Sequence, residues 1–68
     1  MTLKMFMATT MNKIGKVTIA DGWDSKTIIY EGTYSDFADK IHELNLAECI
    51  VFRWELNDTD LYVEIDNH

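Results

Sequence analysis

The chain has little cysteine and glycine and no proline. Its 68 residues include one cysteine, three glycines and no proline. A single cysteine cannot form an internal disulfide, which excludes a disulfide scaffold. No apolar run approaches the roughly 18 residues of a membrane span, and Thr9 and Thr10 interrupt the apolar start too early for a signal peptide. We therefore expect a cytoplasmic protein with no membrane partner.

Basic residues are also scarce. Six lysines and arginines stand against twelve aspartates and glutamates, so the net charge is −6. Such a chain is repelled by phosphates, and we do not expect nucleic acid as a direct partner. The hydrophobic fraction of 47% excludes disorder and supports a single domain over residues 1–68. A domain of this size buries only about 60% of its unfolded surface, which favours a homodimer.

The clearest pattern lies in the last third of the chain. Two predicted strands flank the turn Asn57-Asp58-Thr59-Asp60, and apolar residues alternate along both: Ile50, Phe52, Trp54 and Leu56 on the first, Leu61, Val63 and Ile65 on the second. Pairing Leu56 with Leu61 sets Trp54 opposite Val63 and Phe52 opposite Ile65. The other face then pairs Glu55 with Tyr62 and Arg53 with Glu64. We therefore expect the apolar row of both strands to be core, with Trp54 as an anchor.

An earlier hairpin is predicted around the turn Asp21-Gly22-Trp23-Asp24-Ser25, between strands at 16–20 and 26–31. Its register stays open because Ile28 and Ile29 are both apolar. All four methionines lie before residue 12. This segment is interpreted as an edge strand from Leu3 to Thr10, as a Met-lined contact surface, or as an extension upstream of a second start at Met11.

One helix is predicted from Asp36 to Leu44, with Ser35 as its N-cap and Asn45 ending it in a left-handed conformation. Phe37, Ala38, Ile41 and Leu44 share one face, and Asp36, Asp39, Lys40 and Glu43 share the other.

The element order strand, strand, helix, strand, strand predicts an α+β fold. We expect an antiparallel four-stranded sheet with one helix packed on one face and a possible extra N-terminal strand. The other sheet face, with Val51, Arg53, Tyr62 and Glu64, would be left for solvent or another chain.

No motif indicates catalysis or metal binding. The turn at 57–60 with Glu64 lacks the length and the glycine of a calcium loop, and His42 and Cys49 are too few for a zinc site. No glycine-rich phosphate loop or nucleophile arrangement is present in the sequence. We expect no metal, no cofactor and no enzymatic activity.

Charge is distributed unevenly along the chain. Residues 1–30 carry a net charge of +2, whereas residues 31–68 carry −8. The candidate partner-binding residues are Asp36, Asp39 and Glu43 on the helix, Asp58 and Asp60 in the turn, and Trp23 in the first turn. The acids either imitate the phosphates of a nucleic acid or keep the protein soluble. Trp23 either anchors an interface or covers the core.

The stretches Asp21-Gly22-Trp23-Asp24, Ile28-Ile29-Tyr30-Glu31-Gly32-Thr33 and Asp36-Phe37 resemble small acidic proteins of phage genomes, which include anti-CRISPR and other anti-defence inhibitors. The resemblance implies a non-enzymatic inhibitor in the host cytoplasm. Its partner would be a basic host protein, such as a nucleic-acid-binding nuclease complex. The alternative is a structural or regulatory homo-oligomer that associates through its open sheet face.

Overall fold

Two helices and four strands make up the described part of the chain. The computed structural model describes residues 1–9, 14–24 and 27–66. In chain order the elements are helix α1 (Leu3–Thr9), strand β1 (Lys16–Asp21), strand β2 (Ile28–Thr33), helix α2 (Tyr34–Glu43), strand β3 (Ile50–Asn57) and strand β4 (Asp60–Asp66). Neither α1 nor α2 is long and apolar enough to cross a membrane.

The sheet is mixed, with the strand order β2-β1-β4-β3. The hairpins β1–β2 and β3–β4 are antiparallel, but β1 and β4 run parallel at the centre. The predicted α+β class is confirmed, whereas the purely antiparallel sheet is wrong. The two central strands contain the sheet's fully buried apolar residues, which explains why β4 rather than β3 lies beside β1.

The predicted register of the β3–β4 hairpin is confirmed over most of its length, because Arg53, Trp54, Glu55 and Leu56 pair as expected. The register shifts between Val51 and Arg53, so Val51 and not Phe52 pairs with Ile65. Such a bulge inserts one extra residue into a strand and turns its side chain out of the alternation. The predicted pairing of Phe52 is therefore wrong.

The helices cover the centre of the sheet and leave β3 partly bare. The largest fully buried side chains are Leu3, Val17, Ile19, Phe37, Leu61, Val63 and Ile65. Trp54 has the predicted register, but it is 54% exposed and rests against Phe6, with ring centroids 5.5 Å apart. The prediction that Trp54 is a buried core anchor is therefore wrong, because β3 lies at the edge of the sheet and the short helices do not reach across it.

The predicted N-terminal strand is a helix instead. Leu3 and Phe6 lie three positions apart in α1 and both are buried, as one face of a helix requires. Before α1, Met1 accepts a backbone hydrogen bond from Val51 at 2.9 Å, and Thr2 forms a single bridge with Ile50. The expected pairing with the sheet is thus reduced to these two residues. The predicted ends of the segment, Thr10 and Met11, lie outside the described residues.

Helix α2 starts two residues earlier than predicted. Its N-cap is Thr33, whose Oγ1 accepts a hydrogen bond from the Asp36 N–H at 3.2 Å, so the prediction of Ser35 is wrong. The burial of Phe37 and Ile41 is confirmed, but Ala38 and Leu44 are exposed. Asn45 has a φ of 59°, the left-handed conformation expected after the helix.

The open register of the first hairpin is resolved by a shift next to Ala20. Ile19 pairs with Tyr30 and Ala20 pairs with Ile28, which leaves Ile28 exposed while Ile29 packs against the core. The turn itself includes positions 25 and 26, which lie outside the described residues.

The N-cap assignment predicts that alanine substitutions at positions 33 and 35 change the free energy of unfolding in opposite directions. Thr33→Ala removes the capping oxygen and is expected to lower the free energy of unfolding by about 1 kcal/mol. Ser35→Ala lies inside the helix, where alanine is the better helix former, and is expected to raise it by about 0.5 kcal/mol. Urea unfolding of both variants measures this. A loss of stability in Ser35→Ala with none in Thr33→Ala would contradict the assignment.

Candidate functional site

Three of the predicted acidic residues come together at one end of the sheet. In the register, Lys16 lies opposite both Thr33 and Asp60, so the ends of three strands are neighbours. The Gly15 N–H donates to the Thr59 carbonyl at 2.8 Å, and the Gly15 carbonyl accepts from Tyr34 at 3.2 Å. These bonds connect the β3–β4 turn to the start of α2. We call Asp36, Asp58 and Asp60, all exposed, the acidic end.

The turn in the acidic end has a strained backbone residue. Asp58 adopts a φ of 60°, the left-handed region that aspartate and asparagine tolerate better than most residues. The turn between Asn57 and Asp60 contains two residues, a length whose usual turn type requires this conformation. Local backbone geometry therefore favours an Asx residue at position 58 whatever its charge does.

The other two predicted acids extend from the acidic end along α2. Asp39 and Glu43 are exposed and lie about 4.5 and 10 Å further along the helix axis than Asp36, at 1.5 Å per residue. Glu43 is partly neutralised, because Lys40 Nζ lies 3.2 Å from its Oε2. The strongest uncompensated negative charge of this surface is therefore nearer the start of α2.

Trp23 lies at the opposite end of the sheet from the acidic end. It lies two positions beyond Asp21, the last residue of β1, and the length of that strand separates it from Lys16 by roughly 17 Å or more. Its side chain is 67% exposed and meets Phe52 edge-on, with centroids 5.7 Å apart. Its Nε1 donates to Asp66 Oδ1 at 3.0 Å. The predicted site residues thus form two separate surfaces.

Gly22 makes the contact between Trp23 and β3 possible. A Cβ atom at this position would collide with the ring of Phe52. The Gly22 N–H also donates to the Ile65 carbonyl at 2.7 Å, so the backbone there cannot move away without losing a hydrogen bond. The ring of Phe52, which the bulge turns out of the strand alternation, therefore occupies the space that a side chain at position 22 would need.

Sequence reasoning missed an apolar surface along β3. Half-exposed side chains follow the strand: Ile50, Phe52, Trp54 and Leu56, each 44–54% exposed. Beside them a groove of about 310 Å³ is lined by Met1, Phe6, Thr9, Ile14, Trp54, Leu56 and Leu61. The alternation of β3 was visible in the sequence, but its edge position was not. The register shift leaves Ile50 and Phe52 near Asp66 and Trp23, whereas Trp54 and Leu56 lie beside the groove on the other face. The exposed apolar side chains of β3 therefore form two patches, and exposed apolar patches are typical of interaction surfaces.

The open sheet face, predicted as an alternative contact surface, is covered with ion pairs. Arg53 lies 3.8 Å from Glu55 and 3.9 Å from Glu64, and Lys16 lies 3.4 Å from Glu31. The Tyr62 hydroxyl donates to Glu64 Oε2 at 2.7 Å. This bond, with the burial and the carboxylate charge around it, raises the pKa of Tyr62. The prediction that Val51 lies on this face is wrong, because the register shift pairs it with Ile65 and it packs against the core. The ion-paired part of this face is a poor apolar contact surface, whereas Phe52 and Trp23 form a small apolar patch at its other end.

The Cys49 thiol is partly buried, and the side chains that could bind a metal ion are dispersed among the described residues. Partial burial, and then the charge of Asp66, raise the pKa of the Cys49 thiol, which lowers its thiolate fraction at neutral pH. Among the described residues, no group of three or more His, Cys, Asp or Glu side chains is arranged to hold a metal ion.

Comparison with known proteins adds no functional information. No family model matches the sequence, and no curated protein or solved structure matches it either.

The Tyr62–Glu64 bond predicts a pH effect. Tyr62 should ionise above its ordinary pKa of 10.0, because the neutral phenol donates to the carboxylate. The stability from this bond is then fully present below pH 10 and is lost as the pH rises through the raised pKa. Phenolate absorbance of the wild type minus that of Tyr62→Phe gives the midpoint, and Glu64→Gln should lower it. A Tyr62 midpoint at or below 10 in the folded wild type would contradict the bond.

Proposed function

We propose that this chain is a non-enzymatic protein-binding module whose acidic end occupies a basic, nucleic-acid-binding surface of another protein. The observation that carries the proposal is the spatial grouping of Asp36, Asp58 and Asp60. Asp36 is more than twenty positions from Asp58 and Asp60 in sequence, but all three lie at neighbouring strand and helix ends. Their exposure leaves the carboxylates available to a partner.

Charge complementarity supports this choice of partner. A surface built to bind phosphates presents several lysines and arginines, and exposed carboxylates satisfy the same groups. Each contact would add modestly, so binding should depend on several acids together and weaken with salt. Lys16 lies near the acidic end, but its ammonium group forms an ion pair with Glu31. Lys16 therefore does not neutralise the three aspartates.

The resemblance to small phage proteins suggests the biological role in which such binding would serve. We propose an inhibitor of the anti-CRISPR kind that acts in the host cytoplasm on a nuclease complex or a similar basic protein. The single cysteine agrees with a reducing compartment. The apolar groove beside β3 supports binding over catalysis at that surface, because none of its seven lining residues has a side chain that titrates.

A second candidate function is favoured by the exposed apolar side chains of β3. A structural or regulatory protein that associates with itself would have a use for four half-exposed apolar side chains on one strand. This candidate shifts the contact from the charged open face to the strand edge. The two functions use different surfaces, so they can be tested separately.

The first function is tested with matched charge variants. Asp36→Asn, Asp58→Asn and Asp60→Asn together remove three negative charges from the acidic end, and asparagine keeps the left-handed conformation at position 58. Affinity is measured for a basic protein that the wild type captures from a bacterial lysate and that free nucleic acid displaces. The triple variant should bind about tenfold more weakly or worse, since three exposed charge contacts are lost.

The control removes the same charge elsewhere. Asp39→Asn, Glu43→Gln and Glu48→Gln together also remove three negative charges, but from outside the acidic end. This variant should keep most of the affinity. Equal losses in both triple variants would show a general charge effect, and an unchanged affinity in the acidic-end variant would overturn the proposal.

A further inference from the structure

The apolar groove beside β3 lies next to the acidic end. Two of its lining residues, Leu56 and Leu61, flank the β3–β4 turn on either side. Asp60 directly precedes Leu61, and Asp58 follows Leu56 by two positions, so the Cα atoms of Asp58 and Leu56 are no more than about 7 Å apart. Ile14, two positions before β1, lines the groove at the same end of the sheet. An apolar wall and exposed carboxylates are therefore neighbours on this surface.

The groove has the size and the lining of a pocket for an apolar anchor. Its volume of about 310 Å³ is near the lower end of the range for ligand pockets, about 300 to 1,000 Å³. Its walls include the rings of Phe6 and Trp54, whose centroids are 5.5 Å apart. The hydroxyl of Thr9, also in the lining, already donates to the Phe6 carbonyl at 2.9 Å. This lining favours one bulky apolar group over a polar one.

The charges around the groove decide which apolar group fits. Each lysine and arginine that the structure describes forms an ion pair at 3.2–3.8 Å: Lys4 with Glu48, Lys16 with Glu31, Lys40 with Glu43 and Arg53 with Glu55. No ion pair within the described ranges includes Asp36, Asp58 or Asp60. The groove therefore lies beside negative charge that no described cation neutralises. That charge repels a fatty acid or an acidic peptide and attracts an apolar group with cations next to it.

A second copy of this chain is a poor occupant of the groove. Two copies with a net charge of −6 each repel one another, and the described basic residues of such a copy are already paired with its own acids. Pairing between β3 edges cannot bring the copies together either, because Met1 and Thr2 hold the edge at Val51 and Ile50. The occupant is therefore expected on a different, basic chain.

We propose that the groove receives a bulky apolar side chain of the basic partner, from a segment in which lysines or arginines flank that residue. This inference rests on the proposed function and extends it, because it adds an apolar anchor to the contacts of the acidic end. In an extended segment, residues one or two positions from the anchor lie about 3 to 7 Å away along the backbone, which matches the step from Leu56 to Asp58. The acids then steer and orient the partner, and the buried anchor holds it.

Blocked peptides of defined sequence probe the two parts of this surface. Lys-Arg-Leu-Arg-Lys carries the anchor and the charge, Lys-Arg-Ser-Arg-Lys carries the charge alone, and Ser-Gly-Leu-Gly-Ser carries the anchor alone. Binding is followed by the indole N–H resonances of Trp54, which lines the groove, and of Trp23, at the other end of the sheet. The charged leucine peptide should shift the Trp54 signal and bind about tenfold more tightly than the serine peptide, since one apolar side chain leaves water.

Matched variants of the chain locate the anchor. Leu56→Asn places a polar group in the groove wall, and Thr9→Phe adds a ring at an exposed position of that wall, so each should remove the preference for leucine. Ile28→Asn makes a similar change at a side chain that is 48% exposed, close to the 44% of Leu56, but on β2 at the other edge of the sheet. It should keep the preference. The triple acidic-end variant should weaken both charged peptides, and circular dichroism checks that every variant folds.

Four results would overturn the proposal. The first is that the charged leucine peptide binds no more tightly than the serine peptide, which leaves the acidic-end function intact. The second is equal binding of the charged and the uncharged leucine peptides. The third is a preference for leucine that Ile28→Asn removes as fully as Leu56→Asn does, or a shift of Trp23 in place of Trp54. The fourth is a dimeric mass of the unliganded chain that Leu56→Asn abolishes, which would place a second copy in the groove. Failure of the proposed function itself shows separately, as binding of the charged peptides that the triple acidic-end variant does not weaken.

Discussion

The parallel pairing of β1 with β4 determines where every other feature of the molecule lies. It sets Val17 beside Leu61 and Ile19 beside Val63, and all four side chains are buried. The two strands then form the centre of the sheet, against which Phe37 of α2 packs. Because β4 takes the place next to β1, the other strand of its hairpin is pushed to the edge.

Both candidate surfaces follow from that central pair. The register that sets Lys16 opposite Asp60 brings the β3–β4 turn to the end of the sheet where α2 begins, and so creates the acidic end. The same pairing leaves β3 on the outside, where the seven-residue helix α1 contacts it through Phe6 but does not cover it. A chain this short cannot cover four strands with so little helix, and four apolar side chains of β3 stay half exposed. One topological choice thus explains a charged surface and an apolar one.

Local patterns predicted local structure well. The β3–β4 register from Arg53 to Leu56 follows from a short turn and a strict alternation, which the sequence contains within 17 positions (50–66). The position of α2 follows from its apolar spacing, although the capping residue moved to Thr33 because a threonine hydroxyl there reaches the Asp36 N–H. The N-terminal segment was misjudged, since two apolar residues three positions apart fit a short helix as well as they fit a strand with gaps.

Non-local features could not be predicted in the same way. Nothing in the alternation of Ile50, Phe52, Trp54 and Leu56 states whether their strand lies at the centre or the edge of the sheet, so their burial was overestimated. The bulge at Phe52 depends on its contact with Gly22 and Trp23, some thirty positions earlier. For the candidate site, the acidic residues could be named from charge and exposure. Their grouping at one end, and the separation of Trp23 from them, required the strand order.

The most direct test of this account is a nuclear Overhauser spectrum of the folded chain that establishes which strands are neighbours. The account predicts contacts between the backbone protons of Val17 and Leu61 and of Ile19 and Val63 in the pattern of parallel strands. It also predicts no contacts from β1 to β3. Cross-strand contacts between β1 and β3, or an antiparallel pattern between β1 and β4, would contradict it and would remove the basis for both the acidic end and the edge position of β3.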